Sequence, residues 1–284
     1  IEFEAQYDVI RKKNWNWSVG FNLSHNKNML RKTYNGEDLN DKVLGRPVYG
    51  IYTFKDEGIV QKEEDIPMYL NASGKQIPLY FQSINNPLRV GGRKIKDQNY
   101  DGVIDDKDLY YAGSTLPAVY GGLNSHLEWK GLSFDVLFSY TISRKVMNMY
   151  KNSAFTFTKD FGVIMNYFHA GDFWTTSNRD AKYPSLEFAD KDYVGQFDGN
   201  VDSNIENISF LRLKQLVIGY QIPKNWLKGS FIKDANVYLS GENLFLLTNY
   251  SGVDPEIINP YSGKDDGTQY PLNRKVTLGL NLKF

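Results

Sequence analysis

Apolar and polar residues alternate with a period of two in seven stretches of the chain. From 1 to 9, Ile1, Phe3, Ala5, Tyr7 and Val9 interleave with Glu2, Glu4, Gln6 and Asp8. From 14 to 24, Trp15, Trp17, Val19, Phe21 and Leu23 interleave with Asn14, Asn16, Ser18, Gly20, Asn22 and Ser24. The third stretch, 118–129, sets Val119, Leu123, Leu127 and Trp129 against Asn124, His126 and Glu128. Past Lys130-Gly131, a fourth sets Leu132, Phe134, Val136, Phe138 and Tyr140 against Ser133, Asp135 and Ser139. The others are 207–221, whose uneven LKQLVIGY core suggests a bulge, 235–245 and 276–284. Successive side chains of a strand point to opposite faces, so each stretch predicts a strand with one apolar and one polar face.

The connectors carry the next inference. Those at 11–13 and 130–131 are short and the one at 222–231 is of medium length. Those at 25–116, 146–205 and 246–272 are long. In an up-and-down sheet every long connector then falls at one end and every shorter one at the other. Outer-membrane barrels have this asymmetry, with short periplasmic turns and long external loops. The expected fold is therefore all-β: an antiparallel, up-and-down transmembrane β-barrel segment with long extracellular loops. Seven strands are only part of a wall, since plugged transporter barrels have around 22. A one-residue slip of the third and fourth stretches would turn Glu128 and Asp135 toward lipid, where a charge costs up to roughly 2–4 kcal/mol. The polar face is thus assigned to the lumen. A secreted, calcium-stabilised, carbohydrate-binding β-sandwich alternates in the same way and is the competing reading.

Composition narrows these choices. The 284 residues carry 33 basic and 33 acidic side chains, so no basic excess points to nucleic acid. Aromatics make up 15% of the chain, which favours pleated strands and membrane interfaces. There is no cysteine, so disulfides, thiolate metal sites and cysteine nucleophiles are out. No apolar run approaches the ~18 residues of a spanning helix, which leaves a barrel as the only route across a bilayer. The chain opens IEFEAQYDVI, inside a strand pattern and without an initiator Met, as expected for a segment of something longer.

The segment VYLSGENLFLLTNYSGVDPEI (237–257) carries Gly241, Asn243, Leu244, Phe245, Thr248, Tyr250, Gly252, Asp254, Pro255 and Glu256 in the pattern G-x-N-L-F…T-x-Y-x-G-x-D-P-E. It resembles a signature of the SusC/RagA-like importers, the TonB-dependent outer-membrane receptors of Bacteroidetes. The segments 97–123, 173–186, 210–223 and the closing YPLNRKVTLGLNLKF are similar to others of that family, in the same order. The resemblance implies that residues 1–284 are the C-terminal part of a receptor barrel whose plug and N-terminal strands lie elsewhere. It implies a multi-pass protein of the cell outer membrane that imports nutrients, glycans or oligopeptides. The implied partners are a SusD-like surface lipoprotein and the TonB complex, the latter through the missing N-terminal region. It also implies that Phe284 serves as an assembly signal, a role compatible with an aromatic anchor in outer-membrane lipid.

Within the long 25–116 loop, residues 97–108 read DQNYDGVIDDKD, the oxygen spacing of a calcium loop. Asp97, Asn99, Asp101, the Val103 carbonyl, Asp105 and Asp108 take positions 1, 3, 5, 7, 9 and 12, with Gly102 at the sharp turn. The departure is Asp where Glu usually closes the loop. A structural calcium ion is the expectation, against a solvated acidic turn. Trp174, Phe173 and Tyr52 are candidate substrate-stacking residues among loop aromatics that include Tyr49, Phe54 and Phe168. The competing role is a packed core within the loops. His25, His126 and His169 lack metal-ligand spacing, and Asp180, Asp190 and Glu256 are not set apart as catalytic acids. No enzymatic activity is expected.

Overall fold

The computed structural model describes residues 1–39, 42–149, 169–189 and 200–284. Each of the seven stretches forms a strand: β1 Glu2–Lys12, β2 Trp15–Ser24, β3 Val119–Trp129, β4 Leu132–Asn148, β5 Ile205–Gln221, β6 Asp234–Thr248 and β7 Lys275–Lys283. They pair antiparallel in chain order, a simple meander. All three long connectors lie at one end of this sheet and all shorter ones at the other. No helix among the described residues is long and apolar enough to cross a membrane.

Register turns seven separate alternations into two continuous faces. One row across the sheet is Trp15, Trp129, Leu132, Tyr220, Val237 and Leu280. The next is Trp17, Leu127, Phe134, Ile218, Leu239 and Leu278. The opposite face carries Gln6, Gly20, Asn124, Leu137, Gln215, Glu242 and Lys275 in one row. Beside it run Asp8, Ser18, His126, Asp135, Val217, Ser240 and Thr277. The apolar face is left bare, with Leu278 75% exposed and Phe3 56%. No second sheet of the described residues seals it, so the sandwich reading is set aside. The remaining sheets are two-stranded and belong to the connectors.

The uneven fifth stretch does hold an irregularity. Leu213 pairs with Phe138 while Gln215 pairs with Leu137, so Lys214 is an extra residue that keeps apolar and polar parity on both sides. A second shift, between Thr141 and Arg144, extends β4 to Asn148, well past the last alternating residue at Tyr140. Ser143 takes a left-handed φ of 54° there. Alternation alone hides this extension because the shift inverts the faces beyond it. At 17 residues, β4 and β5 are each about 56 Å long. At the roughly 40° tilt of barrel strands they would rise ~43 Å, more than the ~25 Å apolar band of a membrane barrel requires.

The first long connector folds around an interior of its own. Val60, Ile66, Leu79, Phe81, Leu88, Ile95 and Ile104 are buried together with Val201 from the next connector. Four small strand pairs frame it: Gly50–Thr53 with Tyr110–Ser114, Asp56–Ile59 with Arg93–Ile95, Met68–Leu70 with Gln76–Pro78, and Tyr80–Phe81 with Val103–Ile104.

Candidate functional site

The G-x-N-L-F…T-x-Y-x-G-x-D-P-E segment is where strand wall and external loops are joined. Asn243 has a left-handed φ of 53°, which folds Leu244 back over Gly241. A Cβ at Gly241 would lie 2.4 Å from Leu244 Cδ1, so any larger residue there would push the Leu244 side chain aside. Phe245 and Leu247 continue the bare apolar face. Past Thr248, whose hydroxyl donates to the Ser209 carbonyl (3.0 Å), the chain turns inward. Tyr250 is buried with Val146, Ile208 and Ile258, and its ring covers Gly252, where a Cβ would meet it at 2.4 Å. Its hydroxyl donates to Asp265 Oδ2 at 2.5 Å. Burial first, and then the Asp265 and Glu206 carboxylates, push this phenol well above its ordinary value.

The D-P-E carboxylates close on β5. Arg212 Nη2 donates to Asp254 Oδ1 at 2.5 Å, and Arg212 Nε lies 2.6 Å from Glu256 Oε2, a charge contact without hydrogen-bond alignment. Lys214, the extra residue of the bulge, reaches Glu256 Oε1 at 2.5 Å. Asp254 also accepts from the Glu256 amide (3.0 Å) and the Leu272 amide (3.2 Å). Nearby, Arg144 spends its donors on the carbonyls of Thr115, Pro255, Ile258 and Asn259. It thereby ties the first and last long connectors to β4. Arg144, Arg212 and Lys214 are basic groups that the alternation leaves unassigned. The available signal was Arg212, an arginine between two leucines at a polar-face position.

A second cluster fixes the first connector to residues 200–204. Asp202 accepts from Lys55 Nζ (2.6 Å), Tyr110 Oη (2.7 Å) and the Asp56 amide (2.9 Å). Burial works against its carboxylate, yet the Lys55 and Tyr110 hydrogen bonds outweigh it and hold the carboxyl below its ordinary value. Asp56 in turn accepts from Arg93 and from Ser203 Oγ.

The carboxylate loop is closed by its own amides. Asp97 accepts from the amides of Tyr100 (2.7 Å) and Gly102 (2.8 Å), and Asp108 from those of Gln98 (2.8 Å) and Asp105 (2.9 Å). Asn99 and Asp101 accept from the amides of Asp101 and Val103, both at 3.0 Å. Lys107 Nζ lies 3.8 Å from Asp101 and 3.5 Å from Asp105, so an ammonium group supplies the neutralising charge. Calcium takes 6–8 oxygens at about 2.3–2.6 Å. No group of three or more acidic or imidazole side chains that could hold a metal is present among the described residues. A calcium ion held by this loop would raise the midpoint of thermal unfolding of the full-length protein above its value in chelator, and Asp101→Ala would abolish that rise. Equal midpoints in calcium and in chelator would rule the ion out.

The same loop predicts a pH effect. Burial, with the Asp97 hydrogen bond and charge behind it, pushes the Tyr69 phenol up to about 12. A raised phenol favours the protonated form in the fold. Its contribution is therefore complete below pH ~10 and is lost as pH rises toward 12. Stability of the connector, followed by amide exchange around 97–104, is expected to fall over that window. Tyr69→Phe should remove the dependence while lowering stability below it.

The proposed stacking residues are packed inside the loops. Phe173 and Trp174 are buried, Phe173 lying 5.8 Å from the Tyr183 ring. Trp174 Nε1 donates to Gln61 Oε1 at 3.0 Å, and its ring lies over Gly91. Tyr52 is half-buried against the Tyr111 ring at 5.7 Å. Phe173 and Trp174 offer no free face to a ligand as folded, while Tyr52 keeps part of its surface exposed. Phe168 and Asp190 lie outside the described residues. His126 stands on the polar face between Asp135 and Glu128, and His25 contacts the Ala118 carbonyl. The Phe284 ring is exposed and stacks on Phe231 at 5.6 Å.

The whole chain aligns with TonB-dependent receptor P26 of Formosa agariphila, at 30% identity, and spans 28% of that protein. It aligns equally completely with TonB-dependent receptor SusC of Bacteroides thetaiotaomicron, at 26% identity and 26% of its length. The chain belongs with the SusC/RagA-like TonB-dependent receptors. No protein-family model matches the sequence. The family fold is supported independently. The RagAB peptide transporter superposes on 100% of the chain with a TM-score of 0.67 at 22% identity, over 29% of that structure. Thus the chain is a little over a quarter of the length of the receptors it resembles, and its open sheet is a sector of their wall.

Proposed function

We propose that this chain is wall and external loops of an outer-membrane, TonB-dependent importer of nutrients. The observation that carries the reading is the unbroken apolar face of a single meander whose long connectors share one end. Acyl chains cover that face, and the polar face borders an aqueous passage. The remainder of the receptor supplies the plug, the N-terminal strands and the contact with TonB, with this segment as the C-terminal portion. A SusD-like surface lipoprotein sits on the loop end and delivers the cargo, an oligosaccharide or an oligopeptide. The family of the relatives supports this, and one relative of the same fold is described as a peptide transporter. The residues of this sector bind and guide; no chemistry is asked of them.

The test is isolation of the full-length protein from its native envelope. Detergent-dependent solubility, a co-purifying lipoprotein and a bound oligomeric nutrient are expected, and the bound compound identifies the cargo class. Recovery as a monomer in plain buffer would overturn the reading.

A further inference from the structure

The zero net charge of the chain hides a separation that only the topology exposes. At the short-turn end, Lys12 and Lys13 lie at the β1–β2 turn, Lys130 at the β3–β4 turn, and Lys224, Lys228 and Lys233 on the β5–β6 connector. All six are exposed, and no carboxylate among the described residues pairs with any of them. The nearby carboxylates are engaged elsewhere. Asp8 pairs with Arg11 at 3.7 Å, Glu128 accepts from Asn16, and Asp234 accepts from Gln221.

The same end carries exposed rings. Trp226 and Phe231 on the connector are 74% and 77% exposed, and Phe231 stacks on Phe284. Trp15 and Trp129 form the last apolar row below them, with Lys130 Nζ 5.5 Å from the Trp129 ring centre. Rings at the edge of an apolar band with ammonium groups just beyond match the two depths of a lipid leaflet. The rings reach hydrocarbon and interface, while the lysine stems extend to the phosphates. A zwitterionic surface would leave this positive excess uncompensated; an anionic one neutralises it.

We propose that the short-turn end binds anionic phospholipid headgroups of the adjoining leaflet, with Lys224, Lys228 and Lys233 as the principal contacts. The proposal rests on the membrane reading above. Full-length protein is reconstituted in bilayers of equal parts phosphatidylcholine and phosphatidylglycerol, and the lipids retained after mild re-extraction are measured by mass spectrometry. Phosphatidylglycerol is expected to be enriched. The Lys224→Gln/Lys228→Gln/Lys233→Gln variant should lower that enrichment at least about fivefold, and so should salt near ~1 M. Inorganic phosphate at equal ionic strength should not displace the lipid. If the triple variant fails to fold, Lys228→Gln alone must still show a reduced ratio. Equal retention of the two lipids, an unchanged ratio in the variants, or displacement by phosphate would each overturn the proposal. Failure of the protein to insert at all would instead sink the membrane reading.

Discussion

Arg212→Ala is expected to release the last external connector and to cost roughly 3–5 kcal/mol, because it leaves Asp254 buried without its counter-charge. Asp254 and Arg212 are both nearly inaccessible to solvent, so water cannot replace the lost partner cheaply. Glu256 is more exposed and keeps Lys214, which limits its share of the loss. The measurement is thermal unfolding of the full-length protein in detergent, together with limited proteolysis of 249–274. New cleavage confined to that connector, with strands intact, is the expected pattern. Asp254→Asn should cost less, since the amide oxygen still accepts from Leu272. A double variant no worse than Arg212→Ala alone would confirm that the two residues act as a unit. Wild-type melting and protection in Arg212→Ala would mean that the ion cluster holds nothing.

The second large effect separates the two faces at adjacent positions. Leu216→Arg should destabilise the barrel by roughly 2–4 kcal/mol, because Leu216 lies in the middle of the apolar band between Val136 and Gly241. Val217→Arg, one residue on, points to the polar face between Asp135 and Ser240 and should be tolerated far better. Were the apolar face in water, Leu216→Arg would be a surface change worth within about 0.5 kcal/mol. Urea unfolding of the protein folded into lipid vesicles reads the difference directly. Equal costs at the two positions would contradict lipid contact.

Period-two alternation located all seven strands, and connector length placed both ends of the sheet, because both signals are local. What lay beyond depended on contacts between distant residues. The extension of β4 past Tyr140 follows a register shift at Ser143 that breaks alternation, so the local pattern simply stops there. Arg212 was visible as an odd charge, but its partners are more than 40 residues away. Phe173, Trp174 and Tyr52 show what aromatic content leaves open: a stacking surface and a packed loop interior need the same residues. The carboxylate loop is a related case. Asp, Asn and Gly at those spacings suit a cation and suit an amide-bonded turn equally, and Lys107 lies between Asp101 and Asp105.

The first long connector leaves the wall and returns to it at neighbouring points. Ser24 pairs with Tyr120, and the His25 ring meets the Ala118 carbonyl at 2.5 Å. Between them lies a unit whose apolar interior is shared with Val201 of the next connector. Such an insertion can vary at its tip without re-registering a single strand, provided the side that meets Val201, Asp202 and Arg144 is kept. Variation at the loop end can therefore proceed while the staves beneath stay fixed.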